Sequence, residues 1–289
     1  MANLKGSTFE KQIKNALNRL EARGTKRYLE ESNKTHSNAL TTKREMYLKD
    51  FKNYAVNNNL TGKLNNLMTK EHVKNFLENR LEKLSLKTKL DYVSGFNSML
   101  KGLENTKVPI QEETKNFLRE IRTEYQNNFN AIRENFQTNR SISNIEAFKS
   151  DLRAIREESE VIANLQLETG LRASEALEVV KNFSNYYNPD NNTLNGIIGK
   201  GGQEYYSKNI SPILAEKITN LENIPSYSTY SRDIHELGHK THDLRITYAK
   251  EAYEEKIEAG YTEKEALKEV SEELNHHREN ITVYYLKRA

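Results

Sequence analysis

From Thr41 onward, apolar residues recur at three- and four-residue intervals. The stretches KREMYLKDFKNYAV, KEHVKNFLENRLEKL, KTKLDYVSGFNSMLKGL and EETKNFLREIRTEY each read as an amphipathic helix, with short polar turns between them. They predict a small four-helix domain over about residues 40–126. The segment before it, to about Arg27, is also helix-prone. Residues 127–142, NNFNAIRENFQTNRSI, lose the periodicity and are rich in Asn, Gln and Arg, which predicts a linker over 127–141. The second half opens with further helical stretches, NIEAFKSDLRAIREES and EVIANLQLETGLRASEALEVV. In NTLNGIIGKGGQEYYSKNISPI, apolar residues then flank a Gly-Lys-Gly-Gly turn, a hairpin signal. Past Pro212 the helical pattern returns, broken at Pro225–Tyr230 and at Gly260. The expectation is a mainly α chain in two parts, residues 1–126 and 142–289, with a small antiparallel sheet in the second.

Composition agrees with a folded, two-domain chain. At 289 residues there is enough length for two cores. The mean hydropathy of −0.87 is polar, yet the helical spacing of aliphatic residues argues against disorder. No stretch of 18 apolar residues occurs and the first residues lack an apolar signal core, so neither a membrane span nor a secretory signal is expected and the cytoplasm is the default location. Zero cysteines removes disulfides, thiolate metal sites and Cys nucleophiles. The net charge of +3 hides an asymmetry: residues 1–150 hold 27 basic against 17 acidic residues, leaving 17 against 24 in the remainder. Only the first half has the balance of a polyanion grip.

Several short stretches could carry chemistry. HELGH, His235–His239, matches the HExxH pattern that places two imidazoles on one helix face for zinc, but the polar STYSRD before it gives such a helix little to seat it in a core. The loop around Lys200 lacks the Lys-Ser/Thr and following helix of a nucleotide-binding loop, so a hairpin turn with Lys200 at its tip fits better. In ETGLRASEALEVV, Arg172 lies at the start of a helix, where its donors could join free backbone amides in holding an anionic oxygen. HDLR puts His242 and Arg245 three residues apart on one helix face. The tail, LNHHRENITVYYLKRA, holds His276, His277, Tyr284 and Tyr285.

Taken together, Arg172 in TGLRASE, Lys200 in GKGG, His242 and Arg245 in HDLR, His276 in LNHH and a tyrosine nine residues later resemble, in order and separation, the motif series of the tyrosine recombinases, or phage integrases. The likeness covers about residues 141–289; the four-helix segment resembles the family's SAM-like core-binding domain in pattern only. It implies a site-specific DNA recombinase that cuts and rejoins strands through a 3′-phosphotyrosyl intermediate, without metal, ATP or other cofactor. The partner would be a double-stranded recombination site, bound by a dimer and synapsed as a tetramer. By resemblance, Arg172 and Arg245 hold the scissile phosphate, His242 is the base or proton-sharing partner, His276 donates to the phosphate, Lys200 is the general acid and Tyr285 the nucleophile. Tyr284 is the alternative nucleophile, Glu175 the orienter of Arg172, and Asp243 local support at most. Three departures stand out. Asn275 replaces a customary Gly before the histidine, Gln203 and Tyr205 replace basic residues after the turn, which weakens the expected DNA contacts of the hairpin, and only four residues follow Tyr285. A zinc metallopeptidase on HELGH, a non-catalytic DNA-binding protein and a type IB topoisomerase are the alternatives.

Overall fold

Helices dominate both halves of the chain because long apolar-periodic stretches are punctuated by good caps. The computed structural model describes residues 8–22, 34–105, 108–135, 139–200, 202–276 and 279–289. The chain divides into two compact units, residues 1–136 and 137–289.

The first unit is built from α1 (Phe9–Asn18), α2 (Asn38–Asn57), α3 (Leu64–Leu67), α4 (Lys70–Leu81), α5 (Leu86–Glu104) and α6 (Glu112–Asn135). Thr69 and Ser85 cap α4 and α5 by accepting the amides of His72 and Thr88. α5 is the central helix, with ten buried residues. Around it, Phe51 from α2 meets Phe76 of α4 and Phe96 of α5 edge-on, at 5.4 and 5.2 Å between ring centroids. α1 packs into this core through Ile13, Ala16 and Leu17. It comes so close that a Cβ on Gly102 would fall inside the Ala16 carbonyl oxygen, so the helix-prone amino-terminal segment is part of this unit.

The boundary between the two units falls inside the stretch predicted as a linker, 127–141, and part of that stretch is helical. α6 runs on to Asn135, through most of the stretch assigned to residues 127–141. No Gly or Pro interrupts residues 112–135, so the helix has no reason to stop when it leaves the core. The apolar period fades there because the residues from Gln126 to Ile132 are exposed, apart from the half-buried Phe129.

The second unit holds α7 (Ile145–Ile155), α8 (Glu157–Thr169), α9 (Ala173–Lys181), α10 (Phe183–Tyr186), the strands β1 (Tyr187–Asn188), β2 (Thr193–Leu194) and β3 (Lys208–Asn209), then α11 (Pro212–Thr219), α12 (Tyr227–Glu236), α13 (Thr241–Glu258), α14 (Glu263–Glu273) and α15 (Glu279–Leu286). The strands form one antiparallel sheet in the order β1-β2-β3, with Leu194 opposite both Tyr187 and Lys208. Mainly α with a small antiparallel sheet is therefore the fold class. α8 is the spine, buried on nearly every side. Two of its buried polar groups are matched: Glu160 pairs with Arg153 and Lys217, and Ser159 donates to Asp233, which also pairs with Arg156. A separate apolar cluster joins α13, α14 and α15 through Ile246, Ala249, Val270, Leu274 and Tyr285. None of the described helices is long and apolar enough to cross a membrane.

Candidate active site

Three chain reversals bring the motifs together. The first is at Gly170, which ends α8 in the left-handed region (φ 68°). A side chain there would put its Cβ 2.5 Å from the Tyr248 ring, so both conformation and space require glycine. The turn leaves Arg172 at the start of α9, where Glu175, three residues on, accepts the Arg172 amide at 2.9 Å and its Nη1 at 2.9 Å.

The second reversal is the hairpin between β2 and β3. Ile198 and Glu204 bridge across it, and the Gly199 amide donates to the Gln203 carbonyl at 2.7 Å. At its tip the Lys200 amide donates to Glu175 at 3.1 Å, while the Lys200 side chain is exposed. Tyr205, whose amide donates to the Ile197 carbonyl at 2.9 Å across the hairpin, is buried, 4% exposed, between the exposed Glu204 and Tyr206. Its hydroxyl donates to Glu175 at 2.7 Å and accepts from Arg172 Nη1 at 3.0 Å and Arg245 Nη1 at 3.2 Å. Burial of Glu175 would raise its pKa, but the Arg172 guanidinium and amide and the Tyr205 hydroxyl hold it below the usual value. Tyr205 itself is pushed up to about 12, chiefly by burial, so its hydroxyl stays protonated.

The third reversal, between α14 and α15, passes through Asn275 in the left-handed region (φ 53°), which Asn tolerates better than most side chains. The replacement of the customary Gly therefore keeps the turn. It also adds a tie, because Asn275 Nδ2 donates to the Gln203 carbonyl at 3.0 Å and fixes the turn to the hairpin. His276 follows; His277 lies outside the described residues.

Arg245, on α13, is fully buried beneath these turns. Its Nη1 donates to the Gly170 carbonyl and to Tyr205, and its Nη2 donates to the Leu274 carbonyl and faces His276 Nε2 at 3.1 Å. His276 Nε2 is also 3.1 Å from the Tyr285 hydroxyl. A guanidinium cannot accept a hydrogen bond, so Nε2 carries its lone pair toward Arg245 and the tyrosine. His242 packs edge-on against Tyr285, 5.3 Å between centroids. Burial, then Arg245, Arg140 and Arg172, lower the His242 pKa to about 4, so the imidazole is neutral at neutral pH.

The structure thus joins Arg172, Arg245, His276 and Tyr285 in one hydrogen-bonded chain, sets His242 against Tyr285, and ties in Lys200 through its backbone. Tyr284 differs from its neighbour: its ring lies 4.4 Å from the Arg288 guanidinium. Three contributors escaped the sequence. Tyr205, expected as a lost DNA contact, points inward; its place between the outward Glu204 and Tyr206 was the available signal. Arg140, within the predicted linker, pairs with Asp243, which in turn accepts the Lys240 amide and caps α13. Lys208 is buried, with Nζ 2.6 Å from the Glu273 carbonyl, and burial takes its pKa down to about 8.

HELGH forms no metal-binding helix. α12 ends at Glu236, Gly238 turns left-handed (φ 78°), and His239 packs edge-on against Phe148, so the two histidines do not share a helical face. The residues just before it, Asp233 and Ile234, are buried, while His235 is exposed.

No family model and no curated protein matches the chain. Among solved structures it is similar to the XerH site-specific recombinase bound to a palindromic difH substrate in a post-cleavage complex, with a TM-score of 0.56 and 17% identity over 85% of this chain and 75% of that one. The chain has the tyrosine-recombinase fold. A XerA recombinase covers 95% of the chain and 93% of its own at 11% identity, with a TM-score of 0.38 that is too low to bear on the fold. Within the recombinase fold, the six motif residues lie on the α9 start, the hairpin, α13, the α14–α15 turn and α15.

Proposed function

We propose that this protein is a site-specific DNA recombinase that cleaves and rejoins strands through a 3′-phosphotyrosyl intermediate on Tyr285. The observation that carries the reading is the Tyr285 hydroxyl 3.1 Å from His276 Nε2, with Arg245 on that same nitrogen. A phenol with a pKa of about 10 is a weak nucleophile until a base accepts its proton and a cationic field favours the phenolate. His276 and neutral His242 are the bases on hand.

In the proposed step, Tyr285 Oη attacks the phosphorus and the bond to the 5′-oxygen breaks. The tyrosine proton passes to the histidine side, and Lys200, on its exposed hairpin tip, delivers a proton to the leaving oxygen. One phosphoester replaces another, so a 5′-hydroxyl can reverse the step without ATP or metal. Arg172, its side chain 22% exposed, offers donors directly to the phosphate. Arg245 has its four Nη hydrogens engaged within the protein. Its buried Nε has no partner among the described residues; a phosphate oxygen reaches the Nη groups by replacing one of their acceptors, and His276 is the one beside the nucleophile. In the first unit, Arg44, Lys101, Lys115, Arg119 and Arg122 line one cleft; such a cluster suits a phosphate backbone and would make binding salt-dependent. Exchange between two duplexes requires paired cleavages, which fits a dimer on each site and a tetramer in synapsis.

The test is a nicked suicide duplex built on a sequence selected by binding from a randomised pool. Wild-type protein is expected to form a denaturant-stable adduct that maps to Tyr285, and Tyr285→Phe to bind without adduct. Binding with no adduct from wild type would favour a non-catalytic DNA-binding protein instead. Relaxation of supercoils without a second duplex would identify topoisomerase behaviour.

A further inference from the structure

We infer that Tyr205 is a positioning residue whose hydroxyl fixes the spacing and orientation of the two arginines around the reacting phosphate. The inference rests on the strand-exchange reading above and concerns a residue outside the five motifs.

Two guanidiniums repel, and held close they need something between them. Here that group is one oxygen, 3.0 Å from Arg172 Nη1 and 3.2 Å from Arg245 Nη1. The same hydroxyl gives its proton to Glu175 at 2.7 Å, which leaves its lone pairs for the arginines. Glu175 in turn holds the Arg172 amide and Nη1 and the Lys200 amide. One phenol therefore links the α9 start, the hairpin tip and the buried Arg245.

The ring has little freedom to leave. It is buried in the main core of the second unit. A Cβ on Gly199 would come within 2.9 Å of it, and the Lys208 ammonium lies 5.8 Å from its centroid. A phenol so held acts as a fixed spacer rather than a swinging gate. A basic residue pointing inward here would add a third positive charge and could accept from neither guanidinium.

Tyr205→Phe keeps the ring and removes the oxygen. With wild-type binding to the selected duplex unchanged within about twofold, adduct formation in a single turnover should slow roughly 10- to 100-fold, as for a small misplacement of charge-stabilising groups. A methylphosphonate at the scissile position removes one of the charged oxygens the arginines serve, and the defect should shrink there. Equal or faster adduct formation by the variant would overturn the inference, because the hydroxyl would then be idle or would compete with the phosphate. Parallel loss of folding and DNA binding would overturn it too, as the mark of a purely structural residue. A DNA-free readout separates this inference from the proposed function. In ¹⁵N-arginine NMR spectra, the Arg172 and Arg245 Nη resonances should both shift between wild type and Tyr205→Phe, because each guanidinium loses one acceptor. If wild type forms no adduct, the recombinase reading fails while the spectra still decide the role of Tyr205, and unchanged spectra would reject it.

Discussion

The Tyr285 hydroxyl and His276 Nε2 lie 3.1 Å apart, across a turn and nine residues of chain. Tyr284, one residue earlier, takes no part in that contact and instead carries Arg288 over its ring. Neighbouring residues on a helix point about 100° apart, so a single phosphate can be addressed by one of them. Tyr284→Phe is expected to form adduct at a rate within about threefold of wild type, measured on the suicide duplex that Tyr285→Phe fails to cleave. A larger loss would transfer the role to Tyr284.

His242 gives the acid side of the pH profile its shape. In the folded protein its pKa is lowered to about 4, first by burial and then by Arg245, Arg140 and Arg172; in an unfolded chain it is near 6.5. Above 6.5 both states are neutral and nothing changes. As pH falls from 6.5 toward 4, the unfolded chain takes up a proton that the native site resists, so stability declines through that window. Thermal unfolding between pH 7 and 4.5 should show a steeper fall for wild type than for His242→Gln. The His242 imidazole should titrate below pH 5 by NMR.

Arg245→Lys tests the two jobs of one buried side chain. An ammonium cannot reach the Gly170 and Leu274 carbonyls, Tyr205 and His276 together, because its donors do not form the guanidinium fork. Unsatisfied buried acceptors should cost about 2–4 kcal/mol in urea unfolding. Adduct formation should fall about 10²–10³-fold, the scale for losing a donor that stabilises transition-state charge.

Asn275 separates backbone conformation from side-chain contact. Asn275→Gly keeps the left-handed turn but loses the 3.0 Å bond to the Gln203 carbonyl. Asn275→Ala loses both and should be less stable than the Gly variant by about 1–2 kcal/mol. Denaturant melts of the two variants give the comparison, and equal stability would show that the turn imposes no conformational cost.

Gly102→Ala acts on the first unit alone. Its Cβ would collide with the Ala16 carbonyl, so α1 must move off α5 at a cost of about 1–3 kcal/mol. Hydrogen exchange should rise across residues 9–18 while residues 145–258 keep their protection.

Much of the architecture is legible in the chain itself. Helices over residues 41–126 show themselves because each needs an apolar face at the 3.6-residue period, and Gly170 reads as a turn because it sits between two such faces. The end of α6 is not legible, since an exposed helix needs no apolar period to persist once nothing breaks it. HELGH misleads as a string: its spacing has meaning only on a continuous helix, and Gly238 ends that continuity.

By itself the sequence determined which residue types were present, at what separations, and on which elements, and its resemblance to the tyrosine recombinases singled out Arg172, Lys200, His242, Arg245, His276 and Tyr285. Only the tertiary structure decided how they meet. Tyr285 rather than Tyr284 faces His276, Arg245 is enclosed with its Nη donors committed, and Tyr205 turns inward to bridge two arginines from separate helices. Hydrogen bonds act over about 3 Å, and contacts between residues 33 or 40 positions apart in the chain depend on how the turns at Gly170, the hairpin and Asn275 pack against one another, which no local pattern records.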